Sequence, residues 1–110
     1  MDSKLLAGTV EMLILDVVSH GKSYGYAIVQ TVTDRSSGYV ELKEGSLYPA
    51  LHRLERQKLL SSSWGEFEGR RRKYYSLTAA GRKVLEAKRE EWMQFAAGVN
   101  GVLGVNYGLV

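Results

Sequence analysis

Leu6, Val10, Leu13, Ile14, Val17 and Val18 recur at the spacing of one helical face, which predicts an amphipathic helix ending at His20-Gly21. A second helix is expected from Ser23, whose hydroxyl can cap it. Ala27, Ile28, Thr31 and Val32 would face inward, and Ser36-Ser37-Gly38 would end it. Residues 39–43 read as a short irregular link. A third helix is expected to begin near Gly45-Ser46, with Ser46 as its cap and Pro49 in the first turn, where a missing N–H costs nothing. Leu47, Ala50, Leu51 and Leu54 form a narrow apolar stripe on it, while Tyr48, His52, Arg53, Glu55 and Arg56 occupy its other faces. Leu59 and Leu60 follow as core anchors.

From Leu60 to Leu77 the period shortens to two. Ser61–Trp64 and Lys73–Leu77 read as strands, joined by a loop at Gly65-Glu66-Phe67-Glu68-Gly69. Thr78 can cap a last, long helix. Leu85, Trp92, Phe95, Ala96, Val99, Val102 and Leu103 lie along it at near-heptad spacing and form a candidate dimer interface. Gly98, Gly101 and Gly104 each weaken that helix by ~1 kcal/mol relative to alanine, so it should hold to about residue 103 only with something packed on it. The chain therefore divides into a first part at 1–78, a C-terminal helix at 79–104, and an expected flexible tail at 105–110.

Composition narrows the function. The 110 residues are 45% hydrophobic and 25% charged, which suits one folded domain and excludes a disordered or collagen-like chain. The longest apolar stretch, Met12–Leu15, is far short of the roughly 20 residues that span a bilayer, and no secretory signal is visible. The cytoplasm is the expected compartment and no membrane partner is expected. With no cysteine, disulfides, Cys-based zinc sites and thiol chemistry are excluded. His20 and His52 belong to no ligand cluster, so no metal is expected, and no cofactor-binding motif is present. Glu90-Glu91 point in different directions on a helix, so they make no catalytic dyad, and no enzyme is expected. The net charge of +3 is unevenly spread. Lys43–Arg89 holds twelve basic against five acidic residues, a net of +7, while both ends are mildly acidic. Such asymmetry points to a polyanionic partner.

Three helices, a hairpin and a further helix make a mainly α fold: a winged helix-turn-helix with a β-hairpin wing and a long C-terminal dimerisation helix. Its third helix suits a major groove, and a hairpin with four consecutive basic residues suits the phosphate backbone or the minor groove beside it.

The residues also resemble a family. Glu44-Gly45-Ser46-Leu47-Tyr48-Pro49-Ala50-Leu51-His52-Arg53-Leu54-Glu55 is similar to the most characteristic segment of the PadR family of transcriptional regulators. Trp64-Gly65, Gly69-Arg70-Arg71-Arg72-Lys73-Tyr74-Tyr75 and Leu77-Thr78-Ala79-Ala80-Gly81 resemble that family's wing and the start of its last helix. Gly8-Thr9 through Leu15 and Tyr24-Gly25-Tyr26 resemble its first two helices. The resemblance covers about residues 5–104. It implies a homodimeric repressor of the short subfamily, whose single C-terminal helix supplies much of the dimer contact. Some members respond to small aromatic or multidrug-type ligands, a property that varies within the family.

The candidate DNA contacts are Ser46, Tyr48, His52, Arg53 and Arg56 on the third helix, with Arg70, Arg71, Arg72 and Lys73 on the wing. Successive strand residues alternate in direction, so only part of the basic run can face DNA. Arg53 and Arg56 could instead form surface ion pairs. Tyr24 is a phosphate candidate, and of Tyr24 and Tyr26 one is expected at a phosphate and the other in the core. Trp92 and Phe95 are candidate effector-binding residues: two indoles facing across a two-fold axis would form a slot for planar aromatic ligands. The plainer reading is dimer-core packing with no ligand, since an aromatic stripe at helical spacing is usually core. The expected partners are double-stranded DNA, a second copy of the chain and, if the slot exists, a small aromatic effector. The rival readings are a winged-helix protein-interaction module and a non-specific architectural DNA binder.

Overall fold

A computed structural model describes residues 8–105. Helix α1 (Val10–Ser19) is followed by a two-residue strand β1 (Ser23–Tyr24), α2 (Gly25–Arg35), α3 (Glu44–Arg56), β2 (Leu60–Phe67), β3 (Arg70–Leu77) and α4 (Ala79–Leu103). Leu6 lies outside the described residues, as do residues 106–110 of the expected tail. The architecture is mainly helical with a small antiparallel sheet ordered β1-β3-β2.

The predicted stripes fill one core. Ile14, Leu15 and Val18 from α1 meet Ile28 and Val32 from α2 and Leu47, Ala50, Leu51 and Leu54 from α3. Tyr75 from the central strand and Leu85 from α4 close it. α4 packs along α1, so the long helix is braced by the same element that supports the helix-turn-helix pair.

Four local features differ from the sequence expectation, each for a physical reason. Ser23 does not cap α2. It pairs with Tyr75 while Tyr24 pairs with Tyr74, which adds a third strand, and Tyr24 takes the capping position in extended conformation. Ser46 does not cap α3 either. The helix begins at Glu44, because the amides of Ser46 and Leu47 already donate to the Lys43 carbonyl at 2.9 and 2.8 Å. Leu42, just before the cap, and Leu47, in the first turn, are both buried, at the positions of a hydrophobic staple. Pro49 consequently falls in the second turn, where it deprives Gly45 of a helical partner. Gly45 is exposed, so water can serve its carbonyl instead.

The wing is longer than the sequence pattern suggests. β2 runs on through Gly65 to Phe67, and the connection shrinks to Glu68-Gly69. Both turn residues have positive φ, 52° and 75°, as a tight two-residue hairpin turn demands. Gly65 persists within the strand because the Tyr74 ring lies over it; a Cβ there would come within 2.9 Å of that ring.

The wing also hangs from a specific helix end. α3 closes with Leu59 N–H donating to Leu54 O and Lys58 N–H donating to Glu55 O, with Lys58 at φ 61°. This is a Schellman closure with lysine where glycine is usual. Thr78 caps α4 as expected, accepting from Gly81 N–H at 2.9 Å, and its hydroxyl also donates to Lys58 O at 2.8 Å. Gly81 packs against the same junction. A Cβ on it would meet Leu59 O at 2.1 Å, so no larger residue fits without moving backbone.

Candidate nucleic-acid interface

On α3 the buried stripe turns Tyr48, His52 and Arg56 outward at four-residue spacing, so they form one row along the helix. Tyr48 and His52 line a cleft of about 320 Å3 between α3 and the wing, together with Tyr26, Arg71 and Lys73. The Tyr48 hydroxyl lies over the first turn of α2, where a Cβ on Gly25 would come within 2.7 Å of it. Gly25 therefore gives Tyr48 its place. Arg53 turns away from this row toward α1, with Nε 3.9 Å from Glu11 Oε1. Glu11 is half-buried and Arg53 exposed, and at 3.9 Å such a surface pair contributes little. Ser46 is exposed on the first turn, close to the start of the same row.

The wing sorts its four basic residues by strand alternation. Lys73 points inward: its Nζ reaches Glu55 Oε1 at 3.2 Å, and Ser62 donates to the other carboxylate oxygen. Glu55 thus ties the third helix to both wing strands at once. The Ser62 hydrogen bond, and then the Lys73 charge, hold the Glu55 carboxyl below its ordinary pKa. In return the Glu55 hydrogen bond raises Lys73. Burial pushes the neighbouring Tyr75 phenol up. In the sequence Glu55 is one of several polar residues on α3, and its spacing to Lys73 becomes informative only with the hairpin register.

Arg71 and Arg72 project from opposite faces. The Arg71 guanidinium stacks over Trp64 at 4.6 Å, and that of Arg72 over Tyr24 at 4.5 Å. Such contacts contribute about 0.5–1 kcal/mol each at exposed sites. Arg70, beside the turn, is exposed. Of the two tyrosines at the start of α2, Tyr24 belongs to a ring cluster with Phe67 and Tyr74, while Tyr26 is exposed and accepts from Gln30 at 3.0 Å. Tyr26 is thus the freer of the two to meet a phosphate.

A second region lies on α4. Trp92 and Phe95 have ring centres 6.1 Å apart and line an apolar cavity of about 750 Å3 with Met12, Leu13, Tyr39 and Val40. The α1 and link residues of this cavity carry no sequence signal: Leu13 falls on the core stripe of α1, and Met12, Tyr39 and Val40 belong to no pattern. Leu85 differs from the rest of its stripe: it is 2% exposed and belongs to the subunit's own core. Phe95 is 63% and Val102 88% exposed, and Trp92, Val99 and Leu103 are exposed as well. Ala96 is half-buried.

An exposed row on α3 beside a wing with outward arginines defines a winged helix-turn-helix of the DNA-binding class. Residues 14–87 match the model of the transcriptional regulator PadR-like family, and the chain belongs to that family. It is 35% identical over 92 residues to the transcriptional regulator Rv3488 of Mycobacterium tuberculosis, covering 84% of this chain and 83% of that one. Among solved structures it resembles a transcriptional regulator from Clostridium thermocellum, with TM-score 0.82, 35% identity and coverage of 89% of this chain and 96% of that one. It also resembles a PadR family transcriptional regulator from Eggerthella lenta, with TM-score 0.79, 35% identity and coverage of 94% and 89%. The protein is accordingly a DNA-binding transcriptional regulator rather than an enzyme. Among the described residues no helix is long and apolar enough to cross a membrane.

Proposed function

We propose that the protein is a cytoplasmic homodimeric repressor that occupies an inverted-repeat operator. Residues 1–78 bind DNA and residues 79–104 form the dimer arm. One α3 from each subunit enters a major groove, and the grooves lie about one helical turn apart. Tyr48, His52, Arg53 and Arg56 supply base and phosphate contacts, with Ser46 and one tyrosine, the exposed Tyr26, as further phosphate ligands. Wing arginines supply the salt-dependent part of the affinity.

The observation that carries the dimer is the state of α4. Beyond Leu85 it leaves Trp92, Met93, Phe95, Val99, Val102 and Leu103 exposed along one helix. An apolar row of that length is costly in water and matches the chain's need for surface from a second copy. Trp92 and Phe95 at this interface are the place for a planar aromatic or multidrug-type effector. Such a ligand releases the operator only if it binds one dimer geometry better than another.

The test is a titration of the protein against duplexes enriched from a random library, with excess unrelated duplex, at two salt concentrations. Binding that survives the competitor and weakens with salt supports an operator-specific regulator. Binding abolished by the competitor supports an architectural DNA binder, and no enrichment at all supports a protein-interaction module.

A further inference from the structure

Among the described residues Leu85 is the last buried residue of α4, yet the helix runs on to Leu103. At 1.5 Å per residue the end of the helix lies roughly 27 Å beyond that anchor. A tilt of about 10° at Leu85 would carry the end by about 5 Å, more than the roughly 3.4 Å rise of one base pair. An arm of this length needs a further restraint near its base if it is to hold a fixed aim.

One turn beyond Leu85, Arg89 makes the one ion pair that joins α4 to another element among the described residues. Its Nη1 lies 3.4 Å from Asp16 Oδ1 on α1. The other oxygen of that carboxylate, Oδ2, lies 3.4 Å from Nη1 of Arg35, in the last turn of α2, and 3.8 Å from His20 Nε2. The apolar face of α1, with Ile14, Val17 and Val18 in the core, leaves the half-buried Asp16 at its edge. One carboxylate on α1 is therefore shared by the first helix of the helix-turn-helix pair and by the long arm.

We propose that Asp16 is a positioning residue for operator binding: through Arg89 and Arg35 it fixes the angle of α4 relative to the helix-turn-helix pair, and with it the separation of the two α3 helices in the dimer. The inference rests on the homodimer reading above. Exposed ion pairs add little to folding stability, because water screens them and both side chains must be ordered. Angle is a different quantity. Apolar packing around Leu85 is non-directional and tolerates a tilt. Each arginine contact is long and weak by itself, but together they draw α2 and α4 toward one edge of α1. Removing the shared charge leaves Arg35 and Arg89 facing each other without a counterion, and their repulsion pushes the arm away from α2.

The experiment uses the duplex enriched from a random library by the full chain, with versions that have one base pair removed or added between the half-sites. The wild-type protein should bind the enriched spacing about tenfold more tightly than either altered one. Asp16→Asn keeps the shape of the side chain and loses its charge. It should bind the enriched duplex about threefold more weakly, discriminate the spacings by about threefold at most, and melt close to wild type. Arg89→Ala should behave alike, the double variant should be no worse than either single one, and Asp16→Glu should restore most of the discrimination. A merely structural role for Asp16 would weaken binding to all three duplexes equally. Unchanged ratios among the spacings, or additive losses in the double variant, would overturn the inference while leaving operator binding intact. Equal wild-type affinity for the three spacings would overturn the homodimer reading as well, and absence of any enrichment would overturn the operator reading and this inference with it.

Discussion

The two ends of this protein solve opposite problems. The α3–wing region is polar and finished within one subunit: Glu55 joins the third helix to Ser62 and Lys73, and rings hold Arg71 and Arg72. The outer half of α4 is apolar and unfinished, with Phe95, Val102 and Leu103 facing solvent. A charged surface can wait in water for its partner because solvent satisfies it meanwhile, whereas an apolar row is stable only when covered. In the proposed reading, nucleic acid meets one end and a second copy of the chain covers the other.

The junction where the two regions meet offers the largest perturbation. Gly81→Ala places a Cβ against the Leu59 carbonyl and the Leu77 side chain, so backbone must yield. The expected cost is about 3 kcal/mol, a drop in Tm of well over 10 °C for a chain of this size, measured by thermal melting. A tolerated Gly81→Ala would mean that the wing and α4 are not locked together there.

Breaking only the apolar end comes next. Phe95→Asp should leave the subunit folded, yield monomers on sizing, and lower operator affinity about 100-fold by separating the two reading heads. A monomeric variant with wild-type affinity would remove the dimer from the account.

The polar end is expected to give smaller effects. Glu55→Gln keeps an acceptor for Ser62 and loses the charge facing Lys73; it should destabilise the wing by about 1 kcal/mol, seen as faster amide exchange in β2 and β3. The pH dependence follows from the directions of the two shifts. The lowered Glu55 contributes stability above its unfolded pKa, lost as pH falls through the folded value. The raised Lys73 contributes below its unfolded pKa, lost as pH rises through the folded one. Wing protection should therefore plateau around neutrality and fall at both extremes, and Glu55→Gln should flatten the acid limb. Smallest of all, Lys58→Gly at the left-handed end of α3 should stabilise by about 0.5–1 kcal/mol, read as a slight rise in Tm.

Much of this contrast was legible in the residues. The stripe on α3, the basic hairpin, the Thr78 cap and the end of α4 near Leu103 all follow from periodicity and local chemistry. The strand at Ser23-Tyr24 did not, because two residues carry no period and its only reason is the facing strand. The start of α3 was displaced because burial of Leu42 and Leu47, not a serine hydroxyl, sets it. Strand alternation allowed only some of the basic run to face outward, but the inward turn of Lys73 depends on Glu55, eighteen residues away. Leu85 shares a stripe with Phe95, and only the packing of α1 on α4 assigns it to the subunit's own core.

In the proposed complex two α3 helices, held by α4, read one inverted repeat. Inserting five base pairs between the half-sites of the enriched duplex rotates one half-site by about half a turn while leaving every base contact available. Affinity should fall about 100-fold and be restored in good part when ten base pairs are inserted instead. Equal affinity for all three spacings would contradict it.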